Sequence, residues 1–189
     1  QVELLHVARA EAGQVQAADD GHRNLSQDHH SHVGRPGRTE LPTGSGTGSK
    51  YRLAFDQPGT WSQKYNLVWD RVLGLNLFPA SALRKEMDFY RRTQKRYGLP
   101  LDGRKDFTKL DWIFWTATLT GVREDFDALV GPVHDFLEAT PDRVPMTDWY
   151  GTEDARVVGF RARPVVGGVL IKLLDDAATW KKWAARGGR

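Results

Sequence analysis

From Tyr51 to its end the chain repeats one plan three times: a polar, aromatic loop, a helix apolar on nearly every side, then an amphipathic helix. The apolar helices start about 45–55 residues apart, a period at which helix pairs stack around a shared core. In the first round Ser62 reads as the N-cap of a helix over 63–76, with Leu67, Val68, Val72, Leu73 and Leu75 spread around it. Ser81 then caps a helix over 82–97. Leu83, Met87, Tyr90 and Tyr97 form its apolar stripe, and Arg84, Lys85, Glu86, Arg91, Arg92 and Lys95 its wet face. Gly98 and Pro100 end it.

The second round opens with the Asp102-Gly103 turn, and Thr108-Lys-Leu-Asp111 reads as a capping box with Asp in place of Glu. An apolar helix from Trp112 to Leu119 follows and stops at Gly121. The amphipathic helix over 123–139 turns Phe126, Leu129, Val130, Val133, Phe136 and Leu137 inward, and Pro132 is expected to kink it. The third round opens at Thr147-Asp-Trp-Tyr-Gly151, with a small hairpin expected across Gly151–Arg156 and Val157–Phe160. Pro164 starts an apolar helix, Val165–Leu174, in which Gly167-Gly168 allows close backbone approach. Asp175 or Asp176 caps a last helix carrying Trp180 and Trp183. The expected fold is all-α: three helical hairpins over 51–189 forming roughly half of an (α/α)6 toroid, with the loops that enter the inner helices gathered at one face.

Residues 1–50 are written differently. They hold none of the 7 Trp, 5 Tyr and 8 Phe, but five of the 6 His, and end in a Gly/Pro/Ser/Thr-rich tail. Such a segment buries too little apolar surface to offset its ordering entropy, so disorder is expected beyond a short helix over Val2–Ala18. The cluster Asp28-His29-His30-Ser31-His32 reads as a solvated loop rather than a metal site, because nothing there fixes ligand geometry. Cysteine is absent, which excludes disulfides, thiolate metal sites and a Cys nucleophile. A net charge of only +3 and no Lys/Arg run argue against a nucleic-acid partner. No apolar run reaches membrane-spanning length, and no signal-peptide core is present.

Several stretches resemble the C-terminal part of the glutaminase A family: Tyr51-Arg-Leu-Ala-Phe-Asp56 through Arg71, Tyr97-Gly-Leu-Pro-Leu-Asp102, Thr108-Lys-Leu-Asp-Trp-Ile-Phe-Trp115, Arg143-Val-Pro-Met-Thr-Asp-Trp-Tyr150 and Val165-Val-Gly-Gly-Val-Leu-Ile-Lys172. The resemblance covers about 51–189 and implies the family's six-hairpin, glycosidase-like domain. The Trp180-Lys-Lys-Trp183 ending looks like the family's C-terminus. Residues 1–50 depart from the pattern and read as a truncated or artefactual segment. The family label implies hydrolysis of L-glutamine to L-glutamate and ammonia without a cofactor, in proteins expected to be extracellular.

Two carboxylates suffice to hydrolyse an amide or a glycosidic bond, one donating a proton and the other activating water. The loops entering the apolar helices offer Asp102, Asp111 and Asp148 as catalytic candidates. Gln63, Lys64, Arg104, Lys109 and Arg163 are candidate polar partners for a substrate, and Trp61, Trp112 and Trp149 candidate walls or sugar platforms. Each has a structural alternative: a cap for Asp111, turns for Asp102 and Asp148, core packing for the tryptophans. Asp70 reads as structural, tied to Arg71 or a neighbouring helix. Three functions compete: a glutaminase-like hydrolase fragment inactive alone, a glycoside hydrolase-like protein of carbohydrate metabolism, and a non-enzymatic remnant serving as an interaction module. The expected partner is a small molecule, glutamine or a sugar, with neither metal nor cofactor. Apolar hairpin edges left open by an incomplete ring predict self-association.

Overall fold

The computed structural model describes residues 50–53 and 58–187, all within one compact unit. The expectations for residues 1–49, the histidine cluster included, lie outside the described residues. The chain is all-α apart from one small sheet. A 3₁₀ turn, Tyr65–Leu67, runs into α1 (Val68–Val72) and is followed by α2 (Ala80–Thr93). Strand β1 (Phe107–Lys109) leads directly into α3 (Leu110–Thr118), and then comes α4 (Arg123–Ala139). Strand β2 (Trp149–Gly151) precedes a 3₁₀ stretch over Pro164–Leu170, α5 (Ile171–Asp175) and α6 (Ala177–Gly187).

Helix α3 is the hub. It packs on α4, on the first 3₁₀ turn, on the Pro164–Leu170 stretch and on α5, while α2 packs on α4. The core of buried apolar side chains reflects this. Ile113 and Ala117 of α3 meet Leu129, Val133 and Phe136 of α4 and Met87 and Tyr90 of α2. A second cluster, Val68, Leu119 and Ile171, joins α1, the end of α3 and α5. The six inward positions expected on α4 all lie in or against the main core, because that helix has one clean apolar stripe and a Gly121 stop with φ 68°.

The apolar helices are shorter than expected, and hydrogen bonds explain why. At the first, Gln63 N–H donates to Leu101 O at 2.8 Å, which holds the approach extended, so helical structure begins only at Tyr65 and Ser62 is not its cap. At the exit Asn76 adopts φ 54°, and the Asp70 carboxylate accepts from Leu77 N–H at 2.8 Å and Phe78 N–H at 3.3 Å. Asp70 is therefore structural, but as the lock of this turn. Arg71 instead pairs with Asp175 at 2.6 Å. Helix α2 starts at Ala80 behind Pro79 and ends at Thr93, because Tyr97 N–H is claimed by Thr152 O at 2.9 Å. Glu86, expected on the wet face, is buried. Its carboxylate accepts from the Tyr90 hydroxyl and from Tyr51 N–H, each at 2.5 Å. The expected Val165–Leu174 helix divides into the 3₁₀ stretch and α5, and much of it is exposed. Asp176, not Asp175, caps α6 through Ala178 N–H and Thr179 N–H.

Gln63 ties the loop before α1 to the Leu99–Pro100 segment, to β1 and to α3. Its side-chain N–H₂ donates to Leu99 O, Pro100 O and Thr108 Oγ1, and its carbonyl accepts from Thr116 Oγ1 at 2.9 Å. Buried polar groups stripped of a partner cost about 1–3 kcal/mol each. Gln63→Leu is therefore expected to lower stability by about 3 kcal/mol. In urea melts the midpoint should fall with little change in slope.

Candidate functional site

The site grows from the pairing of β1 with β2. The strands run antiparallel with Lys109 opposite Trp149, and Leu110 N–H continues the ladder to Asp148 O at 2.7 Å. Asp111, in the first turn of α3, and Asp148, just before β2, are thus held at one strand-to-helix junction. Asp111 is 4% exposed and Asp148 fully buried.

Their surroundings differ sharply. Asp148 accepts from Arg163 Nε at 3.0 Å, binds Arg163 Nη2 with its other oxygen, and lies 3.4 Å from Lys109 Nζ. Burial pushes its pKa up, but the Arg163 hydrogen bonds and the Lys109 and Arg163 charges outweigh that and hold it below the ordinary carboxylate value. Lys109 is lowered by burial, partly offset by Asp148, and lies 4.0 Å over the Trp149 ring. The Asp111 carboxyl has no such cation bonded to it, and its Oδ1 is buried without a hydrogen-bond partner among the described residues. Burial, with the Asp148 charge adding to it, raises its pKa from 3.8 to about 6 against the opposing pull of backbone N–H groups and Lys109.

Around the pair, Tyr65 stacks on Trp112 with centroids 3.9 Å apart, and Trp115 sends its Nε1–H to Gly168 O at 3.0 Å. Gly168 confirms the expectation of close approach: a Cβ there would lie 2.7 Å from Asp111 Cβ, whereas Gly167 faces open space. The capping box does not form. Lys109 occupies the cap position without a side-chain bond, and Thr108 Oγ1 is engaged by Gln63, so the Asp111 carboxyl is not consumed as a cap.

The other candidates are engaged elsewhere. Asp102 folds onto Arg104, accepting from its N–H at 2.8 Å and its Nη2 at 2.7 Å, which is a turn lock. Lys64 Nζ bonds to Ser62 and Arg52, and every polar atom of the Gln63 side chain is used inside the fold. Trp61 is core, edge-on to Phe89. Trp149 packs between Phe107, Gly159 and Lys109. Tyr65 lies in the polar entry Trp61–Asn66 that was expected to face the pocket, and Phe160, which no residue pattern singled out, lies against Trp149 and Arg163. Among the described residues no group of three or more His, Asp or Glu is placed to hold a metal ion, and no helix is long and apolar enough to cross a membrane. A cavity of about 310 Å³ lies at the far end of α3, lined by Arg71, Phe78, Leu83, Arg84 and Leu119, and contains neither Asp111 nor Asp148.

The described residues form helical hairpins of an all-α domain, and comparison gives its family. The chain matches the glutaminase A six helical-hairpin domain over residues 9–173, and it belongs to that family. The match begins upstream of Tyr51, where the resemblance in the sequence starts, and stops before the Trp180–Trp183 tail. The chain is 35% identical to glutaminase A of Aspergillus oryzae, over 65% of its own length and 18% of that protein. It is 29% identical to a protein named as a probable glutaminase in Arthroderma benhamiae, over 64% of its length and 17% of that protein. It therefore spans less than a fifth of the curated relatives it matches. No solved structure matches it.

A carboxyl whose pKa is raised by folding weakens the fold as pH rises. Nothing is lost below 3.8, and the loss is complete above about 6. Asp111→Asn removes the titration. Its stability relative to the parent is expected to improve by roughly 2–3 kcal/mol between pH 3.5 and 7.5, read from urea melts across that range.

Proposed function

We propose that this chain is the part of a glutaminase A-like hydrolase that carries its acid–base group, acting on the side-chain amide of L-glutamine. The observation that carries the reading is the unlike pair at one junction: Asp111, raised to about 6, holds its proton to a pH at which an ordinary carboxyl is ionised, while Asp148 is held as an anion. Environments that drive two carboxyls apart assign acid and anion roles. Water adds to the amide carbon as the C–N bond breaks; Asp111 donates its proton to the departing amide nitrogen, releasing ammonia, and is reprotonated by the proton that the water gives up. Asp148, with both oxygens bonded to cations, is too engaged to activate water; its charge helps keep Asp111 protonated, and its carboxylate anchors Arg163.

The glycoside reading draws less support, because the tryptophan faces it would use are committed within the fold. Trp61 is core, Trp112 is stacked on Tyr65, and Trp149 is packed between neighbours. In this proposal the remaining hairpins of the domain, closing an (α/α)6 toroid, cover the apolar face of the last hairpin. Leu170, Leu173, Trp180 and Trp183 are exposed there. Taken alone, the chain is then inactive and self-associates.

The test is a graft. Residues 51–173 of this chain, exchanged for the matching part of the Aspergillus oryzae glutaminase A, should leave ammonia release from glutamine intact. Asp111→Asn in the graft should cut kcat about 10²-fold or more, the scale of a lost general acid. A graft that folds and releases ammonia equally well with Asn at 111 refutes the acid role. A folded graft that cleaves aryl glycosides and leaves glutamine untouched refutes the substrate.

A further inference from the structure

The 3₁₀ stretch Pro164–Leu170 lies over Asp111, with Val166 and Val169 half-buried against the main core and its remaining apolar side chains outside. Val165 is 40% and Leu170 59% exposed, and seven residues is long for this helix type. Two further contacts with α3 bring it against Asp111. Trp115, one turn along α3 from Asp111 and on the same face, donates its indole N–H to Gly168 O at 3.0 Å. At Gly168 a Cβ would come within 2.7 Å of Asp111 Cβ and 3.1 Å of Trp115 Nε1, so only glycine lets the backbone lie this close. The foot of the same stretch, Arg163, is bonded to Asp148. One segment thus touches both carboxylates, through a cation at one and bare backbone at the other.

We propose that Trp115 and Gly168 are positioning residues that latch this segment over Asp111 and keep water from its carboxyl, with Arg163 holding the foot. The latch rests on the reading of Asp111 as proton donor, but it is tested without turnover. The charged groups that act on Asp111 are Asp148 before β2, Lys109 at the end of β1 and Arg163 at the foot of the segment. Lys172 of α5 is bonded to Asp175, and the first 3₁₀ turn presents the Tyr65 ring to Trp112. Loosening the latch leaves all of these in place and changes the water around the carboxyl. Because burial is the largest cause of the upward displacement of Asp111, that displacement should shrink when the latch is lost.

The experiment is a carboxyl ¹³C NMR titration of the 189-residue chain, with the Asp111 signal assigned by its loss in Asp111→Asn. In Trp115→Phe the Asp111 midpoint is expected to fall by about one pH unit. Amide exchange across 165–170 should accelerate about tenfold in the same variant. Gly168→Ala, which keeps the indole and adds one methyl, should move the midpoint in the same direction and decides the matter if Trp115→Phe does not fold. A folded variant with a lower melting temperature and an unmoved midpoint would show a packing role only and overturn the proposal. Loss of glutaminase activity as a reading leaves these midpoints where they are, so the two ideas fail separately.

Discussion

Three residues of antiparallel ladder decide where Asp111, Asp148 and Lys109 come together. Phe107–Lys109 and Trp149–Gly151 pair in a register that turns Thr108 down to Gln63 and Lys109 toward Asp148. Because side chains alternate, a slip of one residue would exchange those two, breaking the Gln63 network and separating Lys109 from Asp148. A pair of strands this short has no independent stability. It is held from both sides: α3 grows straight out of β1, and Tyr150 in β2 stacks on Phe136 and donates its hydroxyl to Tyr97 O at 3.0 Å. The core helix α4 thus fixes the register of a sheet that it does not belong to.

This ladder is also what the sequence did not disclose. Where structure follows from local pattern, as in α4 with its single stripe and glycine stop, the expected boundaries of 123 and 139 match. Where a backbone N–H is claimed from far along the chain, expectation overruns. Tyr97 is drawn to Thr152 and Gln63 to Leu101, so the neighbouring helices are cut short. Strands of three residues carry no readable alternation, and partners forty or more residues apart leave no local trace. The residue types of the site, Asp111, Asp148, Lys109 and Arg163, were legible as candidates. Their separation from Asp102, Arg104, Lys64 and Gln63 was not, because that depends on which loop each cation folds back upon.

Unmet polar atoms concentrate at the site. Gln63, Glu86, Thr116 and Asp125 are buried polar residues whose bonds are made within the fold. Of the three buried side-chain atoms without partners among the described residues, Asp111 Oδ1 and Trp149 Nε1 lie on either side of the β1–β2 junction, and Gln94 Oε1 lies at the end of α2. Unsatisfied buried groups cost stability, and where they persist together they mark positions kept for something other than stability.

Helix α3 shows how such a cost is borne. Its N-terminus should favour an ionised carboxyl, since the helix dipole is worth about 0.3–1 kcal/mol to an anion in the first turn. Asp111 occupies that turn, and its own and the following backbone N–H groups do pull its pKa down. Burial nevertheless prevails, leaving a net displacement to about 6, which is roughly 3 kcal/mol against the charged form at neutral pH. A dipole alone is too weak to reverse that. The penalty is offset at the other end of the same helix, where Leu119 packs with Val68 and Ile171 while Arg71 and Lys172 close on Asp175. With its C-terminal end anchored by apolar burial, α3 can carry at its N-terminal end a carboxyl whose pKa folding raises.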